Sequence, residues 1–194
     1  MFDRKPFFDA VRHAPFPGRL TKAQVEGTEA ILDEWQRRGL TDMRWLAYIL
    51  ATAFHETAAT MRPIEEYGKG RGRTYGRPDP ITGKTYYGRG FVQLTWKSNY
   101  ETMGRLLGLD LVDRPELALD PGHATAILFE GMIGGHFTGH ALADYLNDTR
   151  TDFVGARRVI NGRDRAERIA RYAESFLDAL EKANAPADQD RGAA

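Results

Sequence analysis

The sequence contains no cysteine, so disulfides, thiolate catalysis and cysteine-ligated zinc are all excluded. No apolar run approaches the roughly 18 residues that a membrane span needs, and no span is expected. There is no net charge: 27 Lys and Arg balance 27 Asp and Glu, so overall charge favours no polyanionic partner. Arginines and lysines do gather locally, at Lys69, Arg71, Arg73 and Arg77 and again as six arginines between Arg157 and Arg171. With no nucleic-acid motif beside them they read as solvated surface, and no nucleic-acid partner is expected. The opening Met-Phe-Asp-Arg-Lys-Pro-Phe-Phe lacks the continuous apolar stretch of a secretory signal.

Other chemistries are missing by motif. No G-x-S-x-G is present, and Ser98 and Ser175 fall in helical or pre-helical contexts. The glycines of 68–90 are not followed by G-K-[ST], so they form no phosphate cradle. His55-Glu56 opens like a zinc-protease helix, but the position four residues on is Ala59, and His13, His123, His136 and His140 stand at no matching spacing. No metal and no cofactor are therefore expected.

The chain that remains, 42% hydrophobic and 28% charged, reads as one globular domain over 1–184 with a disordered tail at 185–194. At this length about 70% of the unfolded surface can be buried. An N-terminal helical turn precedes the Pro15-Phe16-Pro17-Gly18 break. Thr21 then caps a helix carrying Val25, Thr28, Ile31, Leu32 and Trp35, which Gly39 stops. Thr41 or Asp42 caps the next. Its Trp45, Leu46, Ile49, Leu50, Ala53 and Phe54 make it apolar over most of its circumference, the pattern of a central buried helix. Seven glycines with Pro78 and Pro80 mark 68–90 as a long loop, and the run from Thr85 suits a short hairpin. Further helices are expected at Asn99–Leu107, at Pro115–Leu119 as a turn, from an Asp120 cap through Ile133, near Leu142–Leu146 and Phe153–Val159, and finally over Ala166–Ala183.

Carboxylate chemistry is what the motifs leave. Glu56 falls at the end of the buried helix, where the negative end of the helix dipole and burial both disfavour its charge, which suits a general acid. Glu65 follows nine residues later, with Pro63 between them to turn the chain back. Carboxylates about 6.5–9.5 Å apart would give inversion at a sugar and about 5 Å retention; spacing along the chain leaves both open. Arg89 reads as an ion-pair partner for Glu56 or Glu65, Asn99 as a cap for its helix, Asn161-Gly162 as a turn, and Tyr86 and Tyr87 as part packing and part groove.

His55-Glu56-Thr57, a downstream carboxylate, Tyr86-Tyr87-Gly88-Arg89-Gly90-x-x-Gln93-Leu94-Thr95-x-x-x-Asn99-Tyr100 and the late Ile160-Asn161-Gly162 together resemble glycoside hydrolase family 19, over roughly Leu46 to Phe176. The resemblance implies a mainly α, lysozyme-like α+β bundle of helices with a small β-hairpin beside the catalytic cleft, and a metal-free inverting reaction. It makes Glu56 the general acid, Glu65 the base with Glu66 as fallback, and Thr95 the hydroxyl that helps hold the water. Gln93, Asn99, Tyr100 and Asn161 match sugar-binding positions, and Tyr87 and Arg89 shape the groove. Plant-type members carry disulfides, which this chain cannot form, and a more distant second carboxylate. The nine-residue spacing is similar to the phage and bacterial, lysozyme-like branch. That branch implies an endolysin acting as a monomer on peptidoglycan, with a chitin-like polysaccharide as the other possible substrate and an inactive wall-binding protein as a third reading. It also implies synthesis in the cytoplasm, with holin-type or other release to the wall.

Overall fold

A computed structural model describes residues 3–185, so the tail expected at 185–194 lies, past Ala185, outside the described residues. Six helices carry the fold: α1 (Arg4–Val11), α2 (Lys22–Arg37), α3 (Met43–Glu56), α4 (Lys97–Leu107), α5 (Pro121–Gly134) and α6 (Ala166–Asn184). The mainly helical, lysozyme-like class that the resemblance implies is the class observed.

The helix signals act as local chemistry dictates. Thr21 accepts from the Gln24 amide while the Gln24 side chain returns to the Thr21 backbone, a reciprocal capping box at the start of α2. Asp42, rather than Thr41, caps α3, and Asp120 accepts from the amides of Gly122 and His123 at α5. α3 is buried without interruption from Leu46 to Phe54 and packs mainly against α6, which also covers α1. Edge-to-face rings pin its C-terminal end: Phe54 meets Tyr172 at 4.8 Å, Phe16 at 5.0 Å and Phe176 at 6.1 Å.

Two apolar clusters result. The larger joins α1, α2, α3, α5 and α6. The smaller lies under the long loop and α4, around Tyr86, Leu94, Tyr100, Met103, Leu111 and Ile127. Phe137 packs against both.

Three local expectations are corrected. The segment near Leu142–Leu146 forms a single 3-10 turn (Leu142–Asp144), after which β3 (Leu146–Asn147) pairs antiparallel with β4 (Arg150–Thr151). The Phe153–Val159 segment is a 3-10 turn over Gly155–Val159. Asn99 does not cap α4, which begins two residues earlier. The hairpin is wider than expected: β1 (Ile64–Glu65) pairs across the loop with β2 (Arg89–Gly90), and Arg89 also exchanges two backbone hydrogen bonds with Leu94.

Candidate active site

Glu56 is the last residue of α3, and its place is set by the ring cluster just before it. Its Oε1 accepts from Arg157 Nη1 at 2.6 Å. The Glu56 side chain is 18% exposed and that of Arg157 4%, so this is a largely desolvated pair. Arg157 is delivered by the Gly155–Val159 turn, and its Nε donates to the Asp164 carbonyl. Arg157 lies 101 residues from Glu56, and the sequence reading did not single it out as a partner; its trace there is the local run of arginines.

Between Glu56 and Glu65 the backbone is strained. Ala58, Ala59 and Met61 all have positive φ, at 49°, 64° and 54°, a region L-residues rarely occupy. Hydrogen bonds hold the strain in place: Thr57 Oγ1 donates to Ala53 O and accepts from the Met61 amide, and Gln24 Nε2 donates to Ala59 O. α2 presses on this turn through Gly27, where a Cβ would stand 1.7 Å from Met61 O. The turn sends the chain straight into β1 and Glu65.

Glu65 is exposed on β1, opposite Arg89. Tyr87 Oη donates to its Oε1 at 2.6 Å, and Lys69 Nζ lies 3.0 Å from Oε2. The Tyr87 hydrogen bond first, and then Lys69, hold this carboxyl below the usual glutamate range. Glu66 points the other way. Its two oxygens accept from Tyr75 Oη and from the Gly88 amide, which ties down the loop. That loop is folded rather than featureless. Gly76 packs against Gly70 so closely that a Cβ on it would lie 2.0 Å from Gly70 O, and Lys97 pairs with Asp79 at 3.1 Å.

Arg89 pairs with neither carboxylate, contrary to expectation. Its guanidinium stacks 3.6 Å from the Tyr87 ring centroid and donates to Tyr100 Oη and to the carbonyls of Thr85 and Tyr87. Arg89 (5% exposed) and Tyr100 (0%) therefore lie beneath the groove as supports, not on its surface. Tyr87 connects that layer to Glu65.

The remaining positions form the floor. Gln93 Nε2 donates to Ile64 O, Thr95 Oγ1 to Gln93 O, and Asn99 Nδ2 to Thr95 O. Each side chain spends one donor on the protein, which leaves its oxygen, and the second N–H of Gln93 and of Asn99, as groups that could meet a ligand. Gln93, Thr95 and Asn99 share a cleft of about 110 Å³ with Phe137 and Ile160. The Ile160 amide bonds to the carbonyl of Arg157, so the far wall of this cleft runs into the turn that holds Glu56. Asn161 follows on the exposed end of that wall. Beside Thr95, Trp96 is exposed, with φ at 73°, and its ring meets Tyr75 at 5.2 Å.

The sequence profile described as chitinase class I, glycoside hydrolase family 19, matches residues 66–134, which include the floor but neither Glu56 nor Glu65. Endochitinase At2g43620 of Arabidopsis thaliana is 37% identical over 117 residues, covering 57% of this chain and 40% of that protein. The inactive chitinase-like protein 1 of Hevea brasiliensis is 48% identical over 48 residues, covering 23% and 15%. The chain thus spans less than half the length of these curated relatives. Among solved structures, chitinase C from Streptomyces griseus superposes with a TM-score of 0.65 at 23% identity, covering 95% of this chain and 78% of its own. A bacterial family 19 chitinase gives 0.56 at 23%, covering 92% and 94%. Sequence likeness to the chitinase class I profile through the loop and α5, joined to a fold shared with family 19 chitinases over nearly all of the chain, makes this protein similar to glycoside hydrolase family 19.

Proposed function

We propose that this protein is an endo-glycosidase that hydrolyses β-1,4 bonds between N-acetylated amino sugars with two carboxylates. One observation carries the reading: the two glutamates are held in opposite surroundings. Glu56 sits largely desolvated at a helix end with one oxygen committed to Arg157, while Glu65 is exposed and kept ionised by Tyr87 and Lys69. Burial suits Glu56 to the acid role and exposure suits Glu65 to the base role, while the Arg157 cation by itself favours the Glu56 carboxylate. In this assignment Glu56 Oε2 gives its proton to the glycosidic oxygen as the C–O bond breaks. Glu65 takes a proton from the water whose oxygen joins the anomeric carbon, and Thr95 Oγ1 helps hold that water. The role falls to Glu65 rather than Glu66 because both Glu66 oxygens are engaged in the loop. Inversion at the anomeric carbon comes with the family resemblance.

For substrate we propose peptidoglycan, with release to the cell wall by a holin-type or other route. The nine-residue spacing of the glutamates, similar to the phage and bacterial branch, supports this reading. Chitin is the second reading, favoured by relatives that are named as chitinases. The test is loss of turbidity of purified walls stripped of outer membrane, comparing the protein with Glu56→Gln. Clearing by the unaltered protein and a loss of at least ~100-fold in the variant are expected, the scale for removing a general acid. Equal clearing by both would sink the role of Glu56. Turnover of chitin oligomers without clearing of walls would replace peptidoglycan by chitin, and binding to either without turnover would make the protein an inactive relative.

A further inference from the structure

At the N-terminal end of α6 lies a hollow of about 570 Å³ lined by Arg163, Arg165, Arg168 and Arg171 together with Val154 and one acidic residue, Glu167. Among the described residues, Arg165 alone of these four has a carboxylate within 4.0 Å, the largely exposed Asp164 at 3.6 Å. No side chain caps α6, so the positive end of its dipole adds to the field of the arginines. Four guanidinium groups around one concavity, three of them without a carboxylate partner among the described residues, cost self-repulsion, which an anionic ligand would relieve.

The hollow adjoins the catalytic wall. Asp164, between two of its arginines, accepts from the same Arg157 that holds Glu56. The charges of the hollow also reach the end of α3. Burial first, and then Arg157, Arg165 and Arg168 together, hold His55 below the ordinary histidine range against the pull of Glu56.

We propose that this hollow is a subsite for the carboxylates of a peptide-substituted amino-sugar polymer, which extends the cleft past Glu56 and selects an acidic glycan over a neutral one. The proposal rests on the glycosidase reading above. Guanidinium groups suit the task because their planar fork meets a carboxylate through two parallel hydrogen bonds. In peptidoglycan the carboxylates come from two sources, the stem peptide and the lactyl group that remains when the peptide is removed.

The test uses the Glu56→Gln protein, with and without Arg163→Gln, Arg168→Gln and Arg171→Gln together, and measures binding by co-sedimentation with purified Gram-negative sacculi. All three arginines are on the surface, so the fold should survive, and a thermal melt checks it. The glutamine triple is expected to bind sacculi about tenfold more weakly at low ionic strength, the gap closing near ~0.5 M salt, as screened charge contacts do. A lysine triple, which keeps the charge, should retain most of the affinity. Affinity for a neutral N-acetylglucosamine oligomer, read by calorimetry, should be the same with and without the arginines. Amidase-stripped glycan strands separate the sources: a deficit that vanishes on them assigns the stem peptide, and one that persists assigns the lactyl carboxylate. Equal binding of sacculi by both proteins, or an equal deficit on the neutral oligomer, would overturn the subsite. Binding of sacculi without any clearing by the unaltered protein would instead overturn the glycosidase reading, and clearing by Glu56→Gln only the role of Glu56, so the failures are distinguishable.

Discussion

The two sides of the cleft are built by different physics. Glu56 belongs to the large cluster: it is aimed by a helix buried along nine consecutive residues and by interlocking rings around Phe54. Glu65 and the floor lie beside the small cluster of Tyr86, Leu94 and Tyr100, and hydrogen bonds rather than apolar bulk hold them. Phe137, packed on both clusters, lies in the cleft between them. The position of Glu56 is therefore tied to global stability, while that of Glu65 can be altered locally. Close packing transmits any change in volume, whereas a surface hydrogen bond can be lost with little effect elsewhere.

The sharpest way to break this comparison is on the base side. Glu65→Gln should lower kcat by ~100-fold, as for loss of a general base, and leave the melting temperature nearly unchanged. Glu66→Gln should cost less than about tenfold, because it loosens the loop without touching the proton transfer. Steady-state kinetics of the pair decide it, and the reverse ranking would transfer the role to Glu66.

On the Glu56 side, Arg157→Gln should act on fold and function together. It leaves a largely desolvated carboxylate without its cation, so a loss of about 2–3 kcal/mol in denaturant unfolding is expected, with reduced activity. Arg157→Lys should recover part of both. A variant as stable as the parent would show that the pair is not integral to the larger core.

The smallest effects come from the partners of Glu65. Tyr87→Phe removes the hydrogen bond that does most to hold its proton affinity down, so the carboxyl rises toward the ordinary glutamate range. The base works only when ionised, so the acidic limb of the kcat/KM profile should move to higher pH in this variant. By the same sign, whatever stability this carboxylate adds is present above the ordinary glutamate range and lost as pH falls through its lowered value. Lys69→Ala, which breaks an exposed pair (62% and 35% exposed), should move the limb in the same direction by less and change stability by under about 1 kcal/mol. An unmoved limb in both variants would remove Tyr87 and Lys69 from the account of the base.

Much of this was readable from the chain because it is local. A cap requires its oxygen within three residues of the amides it satisfies, so Thr21, Asp42 and Asp120 announced their helices. The apolar circumference of α3 required burial. Short-range periodicity failed where 3-10 turns and two-residue strands replaced helix, near Leu142 and Gly155, since such segments take their shape from what they pack against.

The sequence by itself determined the helices, the helix end that carries Glu56, and the family motif around Thr95, each a matter of neighbours within a few residues. Only the tertiary structure decided which arginine holds Glu56, that Arg89 and Tyr100 lie beneath the groove, and that Glu66 is engaged in the loop. Those outcomes depend on contacts such as Arg157–Glu56, 101 residues apart, where desolvation and geometry choose among several chemically equivalent partners.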